Sequence, residues 1–175
     1  MKRGAGLRMF VLVIFCTLAF QNRGGAQKLI FLFGHVVYSA PVDTYFSHNY
    51  SSGIGVEGGI GFGANRTFLM GTIGYSSFSA FAENPYGKLS FVPVKVGIRH
   101  YLLVGKLLFL NADAGVGILQ NGLYNGSRFS ADIGLGVKLG PFEIMADYDG
   151  YSNSSSETSG YSSWIGIKAG MTFGF

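Results

Sequence analysis

The chain is short of the residues on which most chemical sites are built. Its single cysteine, Cys16, lies in an apolar stretch near the N-terminus. With that stretch removed, neither a disulfide nor thiol chemistry is available. Histidine occurs only as His35, His48 and His100. No two of them have the spacing of a metal-binding pair, so no metal and no cofactor is expected. Charged residues make up only 13% of the chain. Past residue 26 no window is apolar enough for a membrane-spanning helix. The formal net charge of +4 gives no sign of nucleic acid as a partner. Lys2, Arg3, Arg8 and Arg23 all belong to the N-terminal stretch, and beyond it nine basic residues face nine acidic ones.

That stretch is the first positive feature. Lys2, Arg3 and Arg8 precede an almost unbroken apolar run over residues 9–20, and Gly24, Gly25 and Ala26 follow. A basic start, an apolar run too short for a bilayer and small residues at its end describe a secretory signal peptide, residues 1–26. Phe15 is too large to precede a lipidated cysteine at Cys16, so lipidation is not expected. Residues 27–175 are long enough for one domain. They are rich in glycine, phenylalanine and tyrosine and poor in charge. For an exported chain of this kind without a membrane helix, a closed β-barrel is the structure that satisfies every backbone group in lipid.

Period-2 alternation supports that reading. Going back from the C-terminus, Phe175, Phe173, Met171, Ala169, Ile167 and Ile165 alternate with Gly174, Thr172, Gly170, Lys168 and Gly166, which is one long strand. Eight strands are expected, over residues 29–40, 51–63, 66–78, 87–102, 106–119, 127–139, 142–151 and 161–175. Five have a clean apolar face, such as Val92, Val94, Val96 and Ile98 in the fourth. The first is apolar on both faces over residues 29–37, so its facing stays open. Tight turns at residues 63–66, Val104-Gly105 and Gly140-Pro141 alternate with longer polar loops at 41–50, 79–86, 120–126 and 152–160. The expected fold is therefore all-β: an eight-stranded antiparallel transmembrane up-and-down β-barrel with both termini on one side.

The faces opposite the apolar ones carry Glu57, Lys95, Arg99, Asp113, Asp132, Lys138, Glu143, Asp147, Asp149 and Lys168, spaced by glycines. With the apolar faces toward lipid, these form a charge network inside the lumen. A two-residue Gly140-Pro141 turn places Lys138 across from Glu143 and Asp132 across from Asp149. A three-residue turn near 103–105 would place Lys95 across from Asp113. The facing aspartates imply either a cation site or neutralisation by Arg99 or Lys168. The second is favoured, because small barrels fill their interior with side chains. Aromatic girdles are expected at both rims. Phe62, Phe68, Tyr101, Phe142, Phe173 and Phe175 would lie near the termini. Tyr38, Tyr75, Tyr86, Phe129, Tyr148, Tyr151, Tyr161 and Trp164 would lie near the loops.

The G-x-G-x-x-G pattern at residues 53–58 lies within a strand with no helix after it, so it is not a dinucleotide site. No nucleophile–base pair stands out, so no catalytic residue and no enzyme is expected. Lys168, Gly170, Phe173 and Phe175 fit the pattern polar-x-Gly-x-x-apolar-x-aromatic, which resembles the C-terminal assembly signal of bacterial outer-membrane β-barrels. Residues 27–175 as a whole resemble the small, eight-stranded, porin-like outer-membrane β-barrel family. Ser39-Ala40-Pro41-Val42-Asp43 with residues 53–62, and Gly140-Pro141-Phe142 with residues 147–152, resemble members from the Bacteroidota.

The resemblance implies the outer membrane of a Gram-negative bacterium, insertion by the barrel-assembly machinery and contact with outer-membrane lipid. The lack of any histidine after His100 separates the chain from the lipid A deacylases. A wide porin is excluded by the strand number. Three functional classes remain. The leading one is a structural or surface-interaction barrel, meeting an extracellular ligand through loops 41–50, 79–86, 120–126 and 152–160. The alternative is a narrow pore for water, ions or very small solutes. The third is a lipid-modifying enzyme.

Overall fold

The computed structural model describes residues 30–102, 106–155 and 158–174. The expected signal peptide with Cys16 lies outside them, as do Leu29, Val104-Gly105 and Phe175. Eight strands follow one another: β1 (Ile30–Pro41), β2 (Tyr50–Ala64), β3 (Thr67–Ala80), β4 (Leu89–Tyr101), β5 (Leu108–Gln120), β6 (Asn125–Leu139), β7 (Phe142–Ser155) and β8 (Thr158–Gly174). Each pairs antiparallel with its neighbour, and β8 returns to β1 through pairs from Phe31↔Gly174 to Pro41↔Trp164. The sheet is a closed barrel, as the alternation predicts.

The tight turns have local causes. Between β6 and β7, Gly140 sits at φ 62°, in the left-handed region that favours glycine, with Pro141 after it. Between β2 and β3, Asn65 takes φ 58°, which asparagine tolerates better than most residues.

Two of the expected loops have structure of their own. Residues 41–50 include a short helix, α1 (Thr44–Asn49). Its cap is Asp43, whose carboxylate accepts the Phe46 N–H at 2.9 Å. Residues 152–160 largely continue β7 and β8 as a hairpin, with Ser152↔Tyr161 and Asn153↔Gly160 in register. This segment has no apolar period to reveal a strand, and backbone pairing alone extends it.

Pairing also settles the facing of β1. Phe31, Phe33, His35 and Val37 point inward, while Leu32, Val36 and Tyr38 point out. Around the barrel the outward residues are apolar and open, among them Val96 at 67% and Ile133 at 59% exposure. Most of the inward charges are buried. That arrangement reverses the soluble plan and suits a hydrocarbon surround.

Phe62, Phe142, Phe173, Tyr38, Tyr75, Phe129 and Tyr148 are exposed, as girdle residues should be. Phe68, Tyr101, Tyr151 and Trp164 are not girdle residues and pack inside the barrel. Alternation explains the correction for three of them. Tyr101 shares a face with Arg99, Tyr151 with Asp149 and Trp164 with Lys168. For Phe68 the cause is its pairing with inward-facing Arg99.

Placing a cation on the mid-strand exterior tests the lipid-facing assignment. Ile133→Arg should cost about 2–4 kcal/mol in urea unfolding from bilayers, as for lipid-facing arginine near the midplane. Leu123→Arg, in the β5–β6 loop, should leave stability unchanged. Equal effects of the two would place the exterior in water.

Candidate functional site: the barrel lumen

The lumen is filled in three layers. Nearest the termini lie Phe31, Phe33, Phe68, Met70, Tyr101, Phe109 and Met145. Nearest the loops lie Phe46, Tyr50, Phe78, Leu89, Phe91, Leu119 and Trp164. Helix α1 drops Phe46 into this second layer, with ring centroids 5.1 Å from Phe78 and 5.5 Å from Trp164. The charges occupy the space between the two aromatic layers.

Nine of the ten expected lumen charges are withdrawn there: Glu57, Lys95, Arg99, Asp113, Asp132, Glu143, Asp147, Asp149 and Lys168. The tenth, Lys138, is half-buried at the termini-side mouth, directly across from Glu143 as its turn requires. Lys95 does not face Asp113. The register is Lys95↔Gly115 and Gly97↔Asp113. The β4–β5 connection runs from Tyr101 to Phe109 and is longer than a three-residue turn, which slides the pairing by one inward position.

Asp132 does face Asp149, and Asp113 faces Asp132 from the other side. Three aspartates therefore stand in one row across β5, β6 and β7. Arg99 pairs with Glu143, and Lys168 with Glu57 and Asp147, so the direct partner of Asp132 and Asp149 is a residue that the sequence expectation did not name. Lys95 reaches over from β4 and donates to Asp132 and Asp149, each at 2.7 Å. Carboxylate oxygens of Asp132, Asp147 and Asp149 lie within 4.8 Å of one another, a spacing that could hold a cation. Ammonium groups take that place instead, because Lys168 also stands 3.1 Å from Asp147.

Below this row a second network crosses the barrel. Arg99 donates to Glu143 at 3.0 Å and to the Asn111 side-chain oxygen at 2.9 Å. Its guanidinium lies 4.2 Å from the centre of the Phe109 ring, which joins the charged layer to the aromatic one beneath. Lys168 donates to Glu57 at 2.6 Å. His35 stands between two carboxylates, 2.6 Å from Glu143 and 3.4 Å from Glu57. The Thr172 hydroxyl also donates to Glu143.

His35, Asn111 and Thr172 are members that sequence reasoning missed. Asn111 and Thr172 share faces with Asp113 and Lys168, so alternation could have found them. His35 could not be placed while the facing of β1 was open. On the exterior, Thr67 and His100 come within 2.9 Å of each other. This hydroxyl–imidazole pair was not expected either.

Of the four assembly-signal residues, Lys168 is buried in the lumen and Phe173 is exposed on the exterior. Gly170 pairs with His35 on the inward face, and Phe175 lies outside the described residues.

No protein-family model matches the chain, and no curated protein matches it. Solved structures do. The crystal structure of Ail, the attachment invasion locus protein of Yersinia pestis, is similar at a TM-score of 0.54 and 15% identity, covering 84% of this chain and 100% of that one. Ail in complex with the heparin analogue sucrose octasulfate gives 0.56 at 14% identity, with the same coverage. Neisserial surface protein A gives 0.53 at 11% identity, covering 87% of this chain and all of that one. At these identities the likeness is one of fold: this chain shares the eight-stranded architecture of small outer-membrane barrels.

Removing one partner from a buried ionic cluster strands the others, at a cost of about 3–5 kcal/mol. Lys95→Met should lose stability on that scale in urea unfolding. Adding Asp132→Asn and Asp149→Asn to it should return most of the loss. A Lys95→Met barrel as stable as the unmodified one would mean that water, not Lys95, solvates the aspartates.

Proposed function

We propose that the protein is a non-enzymatic outer-membrane barrel that acts at the cell surface through its loop rim. On this reading residues 1–26 direct export from the cytoplasm of a Gram-negative, Bacteroidota-like cell. The barrel-assembly machinery inserts the chain through the signal containing Lys168, Gly170, Phe173 and Phe175. Both termini then lie in the periplasm, and outer-membrane lipid surrounds the exterior.

The observation that carries the reading is the contrast between the filled lumen and the open rim. Packed aromatic side chains occupy both ends of the interior. Above the barrel, Val42, Tyr45, Phe81, Tyr86 and Leu123 are exposed, Leu123 at 72%. Exposed aromatic and aliphatic side chains gathered at one end mark an interaction surface. The narrow-pore alternative has less support, because its path would cross two aromatic layers and an ionic one. An enzymatic reading would rest on Thr67 and His100. Among the described residues no carboxylate hydrogen-bonds His100 to orient it.

Ail has been solved with a heparin analogue. The loop regions here carry Lys88 against Asp43, Glu83 and Glu157, with Arg128 near the adjoining start of β6, so they are not a cationic surface for sulfated sugar. They suit an apolar patch on a protein partner better.

Cells displaying the full chain should bind one or more purified proteins with an exposed apolar patch that parent cells do not. Tyr45→Ser with Leu123→Ser should reduce that binding by about tenfold, as loss of interface anchors does, while heat-dependent gel mobility stays normal. Equal binding by displaying and parent cells would refute the surface-interaction role.

A further inference from the structure

We propose that the outer face of β3 and β4, at the termini-side rim, holds one anionic phospholipid by its phosphate. The pair that points to it is Thr67 and His100, direct cross-strand partners at the end of the β3–β4 ladder. Both are exposed on the exterior. The Thr67 hydroxyl stands 2.9 Å from His100 Nδ1. Among the described residues, His100 Nε2 has no partner. With the hydroxyl donating to Nδ1, the proton of the neutral ring sits on Nε2, where it is free to donate.

A polar pair on an apolar exterior needs a polar neighbour at its own depth. Its strand neighbours, Ala64 on β2 and Leu110 on β5, supply none. Arg66 supplies charge. It is exposed at the β2–β3 turn, next in the chain to Thr67. The Tyr101 N–H donates to the Arg66 carbonyl at 2.8 Å, which holds the turn against the end of β4. The Arg66 guanidinium bonds to no described residue. An arginine at a membrane boundary extends to headgroup level and takes phosphate in a two-pronged fork. Among the described residues no carboxylate shares this rim. Those on the strands face the lumen, and Asp43 and Glu83 lie at the loop end. A phosphodiester therefore meets attraction here without competition.

The surface beside the pair suits the rest of a lipid. Leu69 and Ile98, the next outward pair, are exposed. One step further, Gly71 faces outward between Ile60 and Val96, and open space lies where its side chain would be. Thr67 to Gly71 spans about 13 Å of strand. An acyl chain anchored at His100 runs over Leu69 and Ile98 into that notch. Free phosphate has nothing to place there, so the occupant is a lipid. The site depends on the lipid-facing exterior, which Ile133→Arg tests separately. It does not depend on the loop rim.

The test is native mass spectrometry of the folded full barrel, released from micelles holding equal amounts of phosphatidylglycerol and phosphatidylcholine with the same acyl chains. One phosphatidylglycerol should be retained in preference. Arg66→Gln should weaken its retention by about fivefold, the usual effect of one basic residue at an anionic surface. Arg66→Gln/His100→Gln should lower it to that of phosphatidylcholine. Gly71→Leu, which fills the notch, should weaken retention of both lipids, and excess inorganic phosphate should displace neither. Equal retention of the two lipids by the unmodified barrel would overturn the site. So would displacement by inorganic phosphate, or unchanged retention in either the double variant or Gly71→Leu at normal gel mobility. If the double variant does not fold, a nitroxide on the acyl chain of phosphatidylglycerol decides the matter on the unmodified barrel. NMR amide signals of Leu69 and Gly71 should then broaden more than those of Ile144 and Ile167 on the opposite wall. Uniform broadening around the exterior would refute the site.

Discussion

Closure of β8 onto β1 is the constraint on which the rest of the molecule depends. In a ring of strands each residue has two destinations, outward or inward, and no edge is left to absorb a misplaced one. The exterior is apolar, so every inward charge must find its partner inside a space only a few side chains wide. Lys95, Arg99 and Lys168 supply the permanent cations there. The partners they reach lie mostly on strands that are not their neighbours, Lys95 from β4 to β6 and β7, Arg99 from β4 to β7. These pairs tie opposite walls together and give the barrel a solid interior.

The inward row of Asp113, Asp132 and Asp149 shows what the constraint costs. Like charges in register across adjacent strands oppose pairing, and a soluble sheet could relieve them with water. Here the relief comes from one lysine placed between two of the carboxylates. The aromatic layers above and below shield this cluster from both mouths. Lowering the local dielectric strengthens the pairs and also raises the penalty for any carboxylate left without a partner.

Much of this was legible in the sequence, and the limits are physical. Alternation in β2 and β4–β7 placed the charged and apolar faces, because a period of two leaves no other choice. Lys138–Glu143 and Asp132–Asp149 followed from a two-residue turn, whose length sets register. Lys95 was assigned to the wrong cross-strand neighbour because the β4–β5 turn length was not readable. The facing of β1, and with it the role of His35, needed pairing to β2 and β8, since both of its faces are apolar. Helix α1 had a usable signal in Asp43, a good cap three residues before the buried Phe46. Contacts across the lumen depend on barrel width and stagger, which alternation does not encode.

Single-channel recording of the refolded barrel in a planar bilayer tests the solid interior most directly, with heat-dependent gel mobility confirming that the inserted protein is folded. A lumen filled by two aromatic layers and a paired ionic layer predicts no stable current steps. Stable steps whose size changes when Lys95, Arg99 or Asp149 is neutralised would contradict it, and would mean that the charged layer lines an open, water-filled path.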